Sequence, residues 1–146
     1  MTTGGGPRGK REVRELTDAE RDAFIADVRT GFLVFAGDKP YAVPLTGRYA
    51  KGTMLVSMVR SAGRKWDYIN KNRNVCFGIW QRGEHSNVPG LKEQSYSSVI
   101  IEGELEEIPD DKWSYYELPP KPEGVDLVWF ALKANNVGTR TSRYVE

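Results

Sequence analysis

Apolar residues recur along the chain first at helical spacing and then at the spacing of β-strands. Phe24, Ile25 and Val28 fall on one side of a helix that begins at Thr17. Thr17 and Glu20 have the spacing of a capping box, in which each side chain pairs with a free backbone N–H at the helix start. The pattern therefore predicts one amphipathic helix before the first strand.

Six apolar segments follow, and their lengths and flanking turns are typical of β-strands. They are GFLVFAG, PYAVPLTGRYA, TMLVSMV, NVCFGIWQ, SYSSVIIEGELEEI and DLVWFALKANNVG. Short turns such as Lys51-Gly52 join several of them, which favours antiparallel pairing. Pro44 cannot donate a backbone hydrogen bond, so the second segment is expected at an edge or a bulge. The pattern predicts an α+β fold, mainly antiparallel β, built as a six-stranded barrel with a few short flanking helices.

Two more helices are predicted between the strands, and the first residues are expected to form none. Residues 61–71 place Ala62, Trp66 and Ile69 on one helical face, and a short helix opens after Pro109. Residues 1–13 are Gly-rich and basic, with little to bury, and are expected to be a flexible tail. Residues 14–146 then form a single domain.

Composition restricts the function classes. Lys and Arg number 21 and Asp and Glu 20 in 146 residues, so the net charge is close to zero, whereas nucleic-acid binders usually carry a clear positive excess. One Cys and one His exclude an intramolecular disulfide and a zinc site built on paired cysteines, and no metal site is expected. No apolar run approaches the roughly 20 residues that span a bilayer. The N-terminus lacks the apolar core of a signal peptide, so a cytoplasmic protein is expected.

The segment MVRSAGRK, which begins at Met58, joins the third predicted strand to a helix and places two cations at the helix start. Cations are disfavoured there by the helix dipole, so an anion is expected to offset them. Ser61 can donate to a phosphate oxygen, and Gly63 lets the backbone approach closely. Arg64 supplies a planar fork of donors and Lys65 a point charge, and both suit a phosphate monoester. The alternative is that both are solvated charges on a surface helix.

The succession GFLVF, KPYAVPL, a strand leading into GRK, NVCFGIW and YSSVIIEGELEEI resembles a known family. It is similar to the pyridoxamine 5′-phosphate oxidase-like FMN-binding split barrels, and within them to the branch of the 5-nitroimidazole-resistance proteins. The resemblance covers roughly residues 14 to 140. It implies a split β-barrel that binds FMN at the interface of a homodimer.

The resemblance also implies roles for individual positions. Gly63, Arg64 and Lys65 match the family's Ser-Arg-Lys turn, which holds the FMN phosphate, with glycine in place of serine. Ser61 precedes that turn where the family often contacts the phosphate. The remaining candidates are Met58 and Val59 beside the flavin ring, Ser98 at the family's cofactor-contacting glutamine, and Trp129 as a contribution from the partner chain. Core packing is the alternative for Met58 and for Trp129.

One position departs from the family pattern. The nitroimidazole-resistance branch commonly carries histidine where this chain has Met58. Histidine donates, accepts and titrates near neutral pH, whereas methionine offers only a soft, polarizable contact. Chemistry that depends on this histidine, and nitroimidazole as the substrate, are therefore not implied.

The implied function is an FMN-dependent oxidoreductase that transfers hydride between the flavin and a small organic substrate. No catalytic acid, base or nucleophile is assigned. A deazaflavin-dependent reductase of the same fold and a non-catalytic flavin-binding protein are the alternatives. A small barrel that binds single-stranded nucleic acid through Arg8, Lys10, Arg11 and Arg14 is disfavoured by the near-neutral charge.

Overall fold

The computed structural model describes residues 9–145, and these form one antiparallel sheet with two α-helices. The helices are α1 (Asp18–Val28) and α2 (Arg64–Lys71). The strands are β1 (Lys10–Arg14), β2 (Thr30–Phe35), β3 (Tyr41–Thr46), β4 (Arg48–Ala50), β5 (Thr53–Val59), β6 (Asn74–Arg82), β7 (Tyr96–Glu107) and β8 (Leu127–Val145). Short 3-10 turns lie at Gly83–His85 and Asp110–Lys112.

The strands follow the spatial order β3-β2-β6-β7-β8-β5-β4, and β1 adds to β8. β8 is long enough to pair with β7 over most of its length, with β5 at its beginning and with β1 at its end. β3 and β4 lie at the two ends of this order and do not pair with each other. The sheet is therefore open, which confirms the α+β split barrel.

The core lies on the inner face of the sheet. It includes Leu33, Phe77, Val99 and Phe130 from four strands, all fully buried. Fully burying one such side chain contributes about 2–3 kcal/mol. Phe24 and Ile25 of α1 and Trp66 and Ile69 of α2 join the same cluster, so both helices are fixed by their apolar faces. The predicted capping box of α1 is confirmed, with Thr17 Oγ1 accepting from Glu20 N and Glu20 Oε1 accepting from Thr17 N.

The number of strands is larger than predicted, because the described residues form eight rather than six. The second predicted strand divides at Gly47, whose N–H donates to the carbonyl of Arg29, and its remainder becomes β4. Pro44 lies in β3, an edge strand, as its missing donor predicted.

The predicted N-terminal tail is shorter than expected at its C-terminal end. Lys10–Arg14 pair with β8 as a strand, so the tail predicted up to residue 13 does not extend through these residues. The predicted tail residues 1–8 lie outside the described part of the chain. The last strand also continues to Val145 and not only to the Asn-Asn-Val-Gly stretch, because its second half pairs with β1 and β7.

Candidate functional site

The turn between β5 and α2 is an open surface. Ser61, Ala62, Gly63 and Arg64 are exposed, and Lys65 is half-buried. Gly63 is the N-cap of α2, with a nearly fully extended backbone (φ 158°, ψ 173°), and no side chain caps the helix. The first backbone N–H groups of α2 are therefore available to an external acceptor, and the helix dipole favours an anion there.

Arg64 and Lys65 both lack an acidic partner within residues 9–145. The guanidinium carbon of Arg64 lies 4.4 Å from the ring centroid of Tyr41 and 5.7 Å from that of Tyr68. Stacking on aromatic rings leaves the edge of the guanidinium free to donate hydrogen bonds. Asp67 is the acidic residue in the first turn of α2, so the three side chains together carry one net positive charge. The arrangement is chemically suited to bind a phosphate.

Arg64 packs on the rings of Tyr41 and Tyr68, and Phe35 packs against both rings. The sequence patterns did not predict this aromatic cluster. Phe35 and Tyr41 stack with ring centroids 5.4 Å apart, and Tyr41 and Tyr68 lie 5.0 Å apart. The Tyr68 hydroxyl donates to the carbonyl of Lys39 at 3.1 Å, which ties α2 to the turn between β2 and β3. The available signal was the spacing of Arg64 and Tyr68, four residues apart on one helix.

Met58 and Val59 were both predicted beside the flavin ring, but they face opposite sides of the sheet. Met58 is 4% exposed and belongs to the inner core, whereas Val59 is 47% exposed. Successive residues of a strand alternate between faces, so only one of the two can meet a ligand on a given side. Val59 is the one that borders the exposed turn.

Ser98 is not close to the turn of its own chain. Arg60 Nη2 donates to Glu107 Oε1 at 3.2 Å, which places the turn near the end of β7. Ser98 lies on the same strand nine residues before Glu107, a separation of roughly 30 Å at the usual rise per residue. The two predicted parts of the site are therefore not brought together within one chain.

Trp129 is close to the turn along the sheet but is packed away from solvent. It pairs with Ser57 of β5 and is 8% exposed. Its neighbours form a second cluster on the outer side of β5 and β8, which includes Leu55, Ile108 and Trp113. Its indole Nε1 is buried and has no hydrogen-bond partner among the described residues. In this chain Trp129 is a core residue of that second cluster.

The single cysteine and the single histidine of the chain are not arranged for catalysis. Burial and the nearby carboxylate of Glu102 raise the pKa of the Cys76 thiol, which disfavours the reactive thiolate. His85 is exposed in a 3-10 turn beside Glu84, as expected for a loop histidine. Within residues 9–145 there is no group of three His, Cys, Asp or Glu residues that could hold a metal ion. No helix in that range has the length and apolar character needed to cross a membrane.

Comparisons with known proteins identify a family and several similar folds. A sequence model of the family described as pyridoxamine 5′-phosphate oxidase matches residues 17–126, more than half of the chain. No curated protein sequence matches. The fold is similar to that of an FAD-binding protein from Mesorhizobium loti, with a TM-score of 0.65 and 23% identity over 91% of this chain and 98% of that one.

Two other solved structures have the same fold. An FAD-binding protein from Mycobacterium smegmatis has a TM-score of 0.62 and 20% identity over 90% of this chain and 98% of that one. A candidate 5-nitroimidazole antibiotic resistance protein from Bacteroides thetaiotaomicron has a TM-score of 0.69 and 16% identity, covering 93% of this chain and 91% of that one.

Proposed function

The chain belongs to the pyridoxamine 5′-phosphate oxidase family, as its sequence resemblance predicted, and we propose that it binds FMN and acts as an oxidoreductase. The observation that carries the proposal is the exposed turn Ser61–Lys65, with two cations that have no acidic partner among the described residues. The names of the similar FAD-binding proteins support a flavin as the ligand.

The residues of the turn fit the phosphate of FMN. Arg64 and Lys65 would bind its oxygens, and the uncapped N–H groups of α2 would donate to them. Val59 would meet the apolar part of the ligand, because it is the exposed strand residue next to the turn. The monoester of FMN carries about 1.5 to 2 negative charges on one phosphate, whereas the pyrophosphate of FAD spreads about two over two phosphates, so this compact cationic turn favours FMN over FAD.

The flavin would supply the redox chemistry, which is hydride transfer between its ring and a small organic substrate. The residues of this chain would bind, orient and exclude water. We assign none of them as an acid or base. A non-catalytic flavin-binding protein would need the same turn, so turnover and not binding separates the two functions.

A second copy of the chain completes the site in this proposal. The described residues leave the outer face of β2, β6, β7 and β8 uncovered, and directly paired residues place Phe32, Gly78, Ile100 and Gly138 in one row across it. Phe32, Ile100 and the nearby Trp80 are between 49% and 58% exposed. A Cβ added to Gly78 or Gly138 would meet no atom of its own chain within 4 Å, so another chain can approach closely. Ser98 lies on this face, where it can join only the turn of a partner.

The first experiment is an absorption spectrum of the purified protein before and after addition of FMN, followed by titrations with FMN, FAD, riboflavin and a deazaflavin. Retained flavin bands and a higher affinity for FMN than for riboflavin are expected. The variant with Arg64→Ala and Lys65→Ala should lose at least about ten-fold in FMN affinity and little in riboflavin affinity. Lys71→Ala with Lys92→Ala is the matched control, because it removes the same charge from exposed positions away from the turn.

Each outcome of these titrations decides a part of the proposal. Equal FMN and riboflavin affinities would remove the phosphate role of the turn. Binding of the deazaflavin alone would replace FMN as the cofactor. Retained FMN with no hydride transfer to any of a panel of electron-poor organic compounds, and no oxidation of amines or alcohols, would favour the non-catalytic protein.

A further inference from the structure

Arg60 is the last residue before the exposed turn, and it is bonded to two distant parts of the sheet. Its backbone N–H donates to the carbonyl of Asp126 at 2.8 Å, and its Nε donates to Asp126 Oδ2 at 3.1 Å. Its Nη2 donates to Glu107 Oε1 at 3.2 Å. Asp126 lies immediately before β8 and Glu107 ends β7, so Arg60 fixes the end of β5 to both strands.

The other end of the turn is fixed to the same side chain. The guanidinium carbon of Arg60 lies 4.7 Å from the ring centroid of Trp66, which is buried in α2. The indole Nε1 of Trp66 donates to the carbonyl of Val59 at 2.8 Å, so it bonds to the residue just before Arg60. Arg60 and Trp66 therefore clamp the turn from its two ends.

The residues between the two ends have few restraints of their own. Ser61, Ala62 and Gly63 are exposed, and a Cβ on Gly63 would meet nothing within 4 Å. Their conformation, and the direction of the first N–H groups of α2, thus depends on where the ends are held. Preorganised donors bind an anion more tightly than donors that must be ordered first.

We infer that Arg60 is a positioning residue of the phosphate site, which sets the geometry of the turn without touching the ligand. The inference rests on the proposed function. Arg60 already faces two carboxylates, Asp126 and Glu107, and so adds no uncompensated positive charge near the turn. Its contribution to FMN binding is geometric and not electrostatic.

Asp126→Ala separates geometry from charge, because the two predict opposite results. Removal of a carboxylate near the site should strengthen phosphate binding if charge dominates. Removal of the Asp126 carboxylate, which accepts from Arg60 Nε, should weaken phosphate binding if positioning dominates. We expect Asp126→Ala to raise the Kd for FMN by about five-fold, with less than about a two-fold change for riboflavin, since riboflavin lacks the phosphate.

Arg60→Met and Arg60→Lys complete the set. Methionine keeps the apolar stem over Trp66 but loses both ion pairs. Lysine keeps the charge but cannot reach both carboxylates with a planar fork, so it should restore FMN preference only in part. Arg14→Met is the matched control, because Arg14 makes a two-bond pair with Glu20 far from the turn and its loss should leave the preference unchanged.

The readout is the ratio of the riboflavin Kd to the FMN Kd for each variant, with thermal unfolding to confirm folding. If Asp126→Ala does not fold, Glu107→Ala provides the same test at the second carboxylate that pairs with Arg60. An unchanged or larger ratio in the folded variants overturns the positioning role while FMN binding by the wild type stands. A wild-type ratio of one overturns the proposed phosphate site, and the role of Arg60 with it.

Discussion

At the scale of single residues, the end of β5 shows how one position along a strand decides what a side chain can do. Met58 faces the inner core and Val59 faces the solvent beside the turn. The resemblance places the histidine of the nitroimidazole-resistance branch at Met58, which is the buried position of the pair. A histidine at Met58 in this chain would therefore enter the core and would not border the exposed turn.

Met58→His should destabilise the protein without adding activity. A buried imidazole without a hydrogen-bond partner costs about 2 kcal/mol in the free energy of unfolding. Burial disfavours the charged form, so the loss should grow as the pH falls through the histidine range, where the unfolded chain takes up the proton. Urea unfolding at pH 7.5 and at pH 5.5 measures this loss, and a nitroimidazole reduction assay should show no gain.

Val59→His is the control for this substitution. The same residue on the exposed face should change stability little at either pH. A Met58→His variant as stable as the wild type, or one that gains nitroimidazole reduction, would show that this position reaches a ligand.

Glu20 gives a pH-dependent prediction that is independent of the flavin site. Hydrogen bonds from Arg14 and the backbone of Thr17 lower the pKa of its carboxyl from 4.5 to about 2. Because the pKa of Glu20 is lower in the folded state, its ionised carboxylate stabilises the fold at pH values above about 4.5. This stabilisation is lost as the pH falls from about 4.5 towards 2. Glu20→Gln keeps an acceptor for the capping box but removes the charge.

Glu20→Gln should lower the free energy of unfolding by about 1 kcal/mol at pH 7, since the Arg14 side of the pair is half-exposed. The difference from the wild type should shrink steadily in thermal unfolding between pH 5 and the lowest pH at which the fold persists. Glu12→Gln, which breaks the exposed pair with Arg143, should have a smaller effect. A difference that is constant with pH would contradict the role of the charge.

At the scale of elements, strong apolar patterns predicted the strands that build the core. The short strands β1 and β4 lack such a pattern and were not predicted as separate strands. β1 has one apolar residue among five, and it is a strand because β8 offers its backbone a partner. β4 is three residues long and separates from β3 only because the chain turns at Gly47. The Arg64–Lys65 pair was evident from the sequence. The ion pair between Arg60 and Asp126 was not, because these residues are far apart in the sequence and meet only when β5 pairs with β8.

The β4–β5 hairpin permits a test of local geometry. Its turn residues Lys51 and Gly52 both have positive φ, 55° and 70°, as a two-residue type I′ turn requires. Asn tolerates this region better than Lys, so Lys51→Asn should raise the free energy of unfolding by about 0.5 kcal/mol. Gly52→Ala should lower it by about 1 kcal/mol.

Lys51→Ala is the control for that hairpin, because it also removes the amine that lies 5.6 Å from the ring centroid of Tyr115. Denaturant unfolding of the three variants separates the two contributions. If Lys51→Asn and Lys51→Ala change stability equally, the gain does not come from the turn conformation.

At the scale of the whole molecule, the outer face has three rows that are suited to a two-fold contact. The apolar Ile100 row lies between a row that contains Ser98, Trp80 and Arg140 and a row that contains Glu102 and Asn136. A second copy could pack face to face with the first, with the two-fold axis lying in the plane of the face and perpendicular to the strands. This arrangement would reverse the order of the rows in the second copy. Arg140 of one copy would then lie over the Glu102–Asn136 pair of the other, a pair joined by a hydrogen bond of 2.8 Å.

A charge exchange across this face tests the proposed homodimer. Arg140→Glu should weaken it by about ten-fold, because two carboxylates then meet, and Arg140→Glu combined with Glu102→Arg should restore most of the affinity. Ile100→Glu should abolish dimerisation by placing charge at the centre of the apolar row, with little cost to the monomer, because this side chain is already exposed. Sedimentation equilibrium gives the dimer Kd, and FMN retention measured on the same variants tests whether the two copies share the site. A wild-type monomer that retains FMN would contradict the shared site, and an unaffected Arg140→Glu dimer would place the contact on another face.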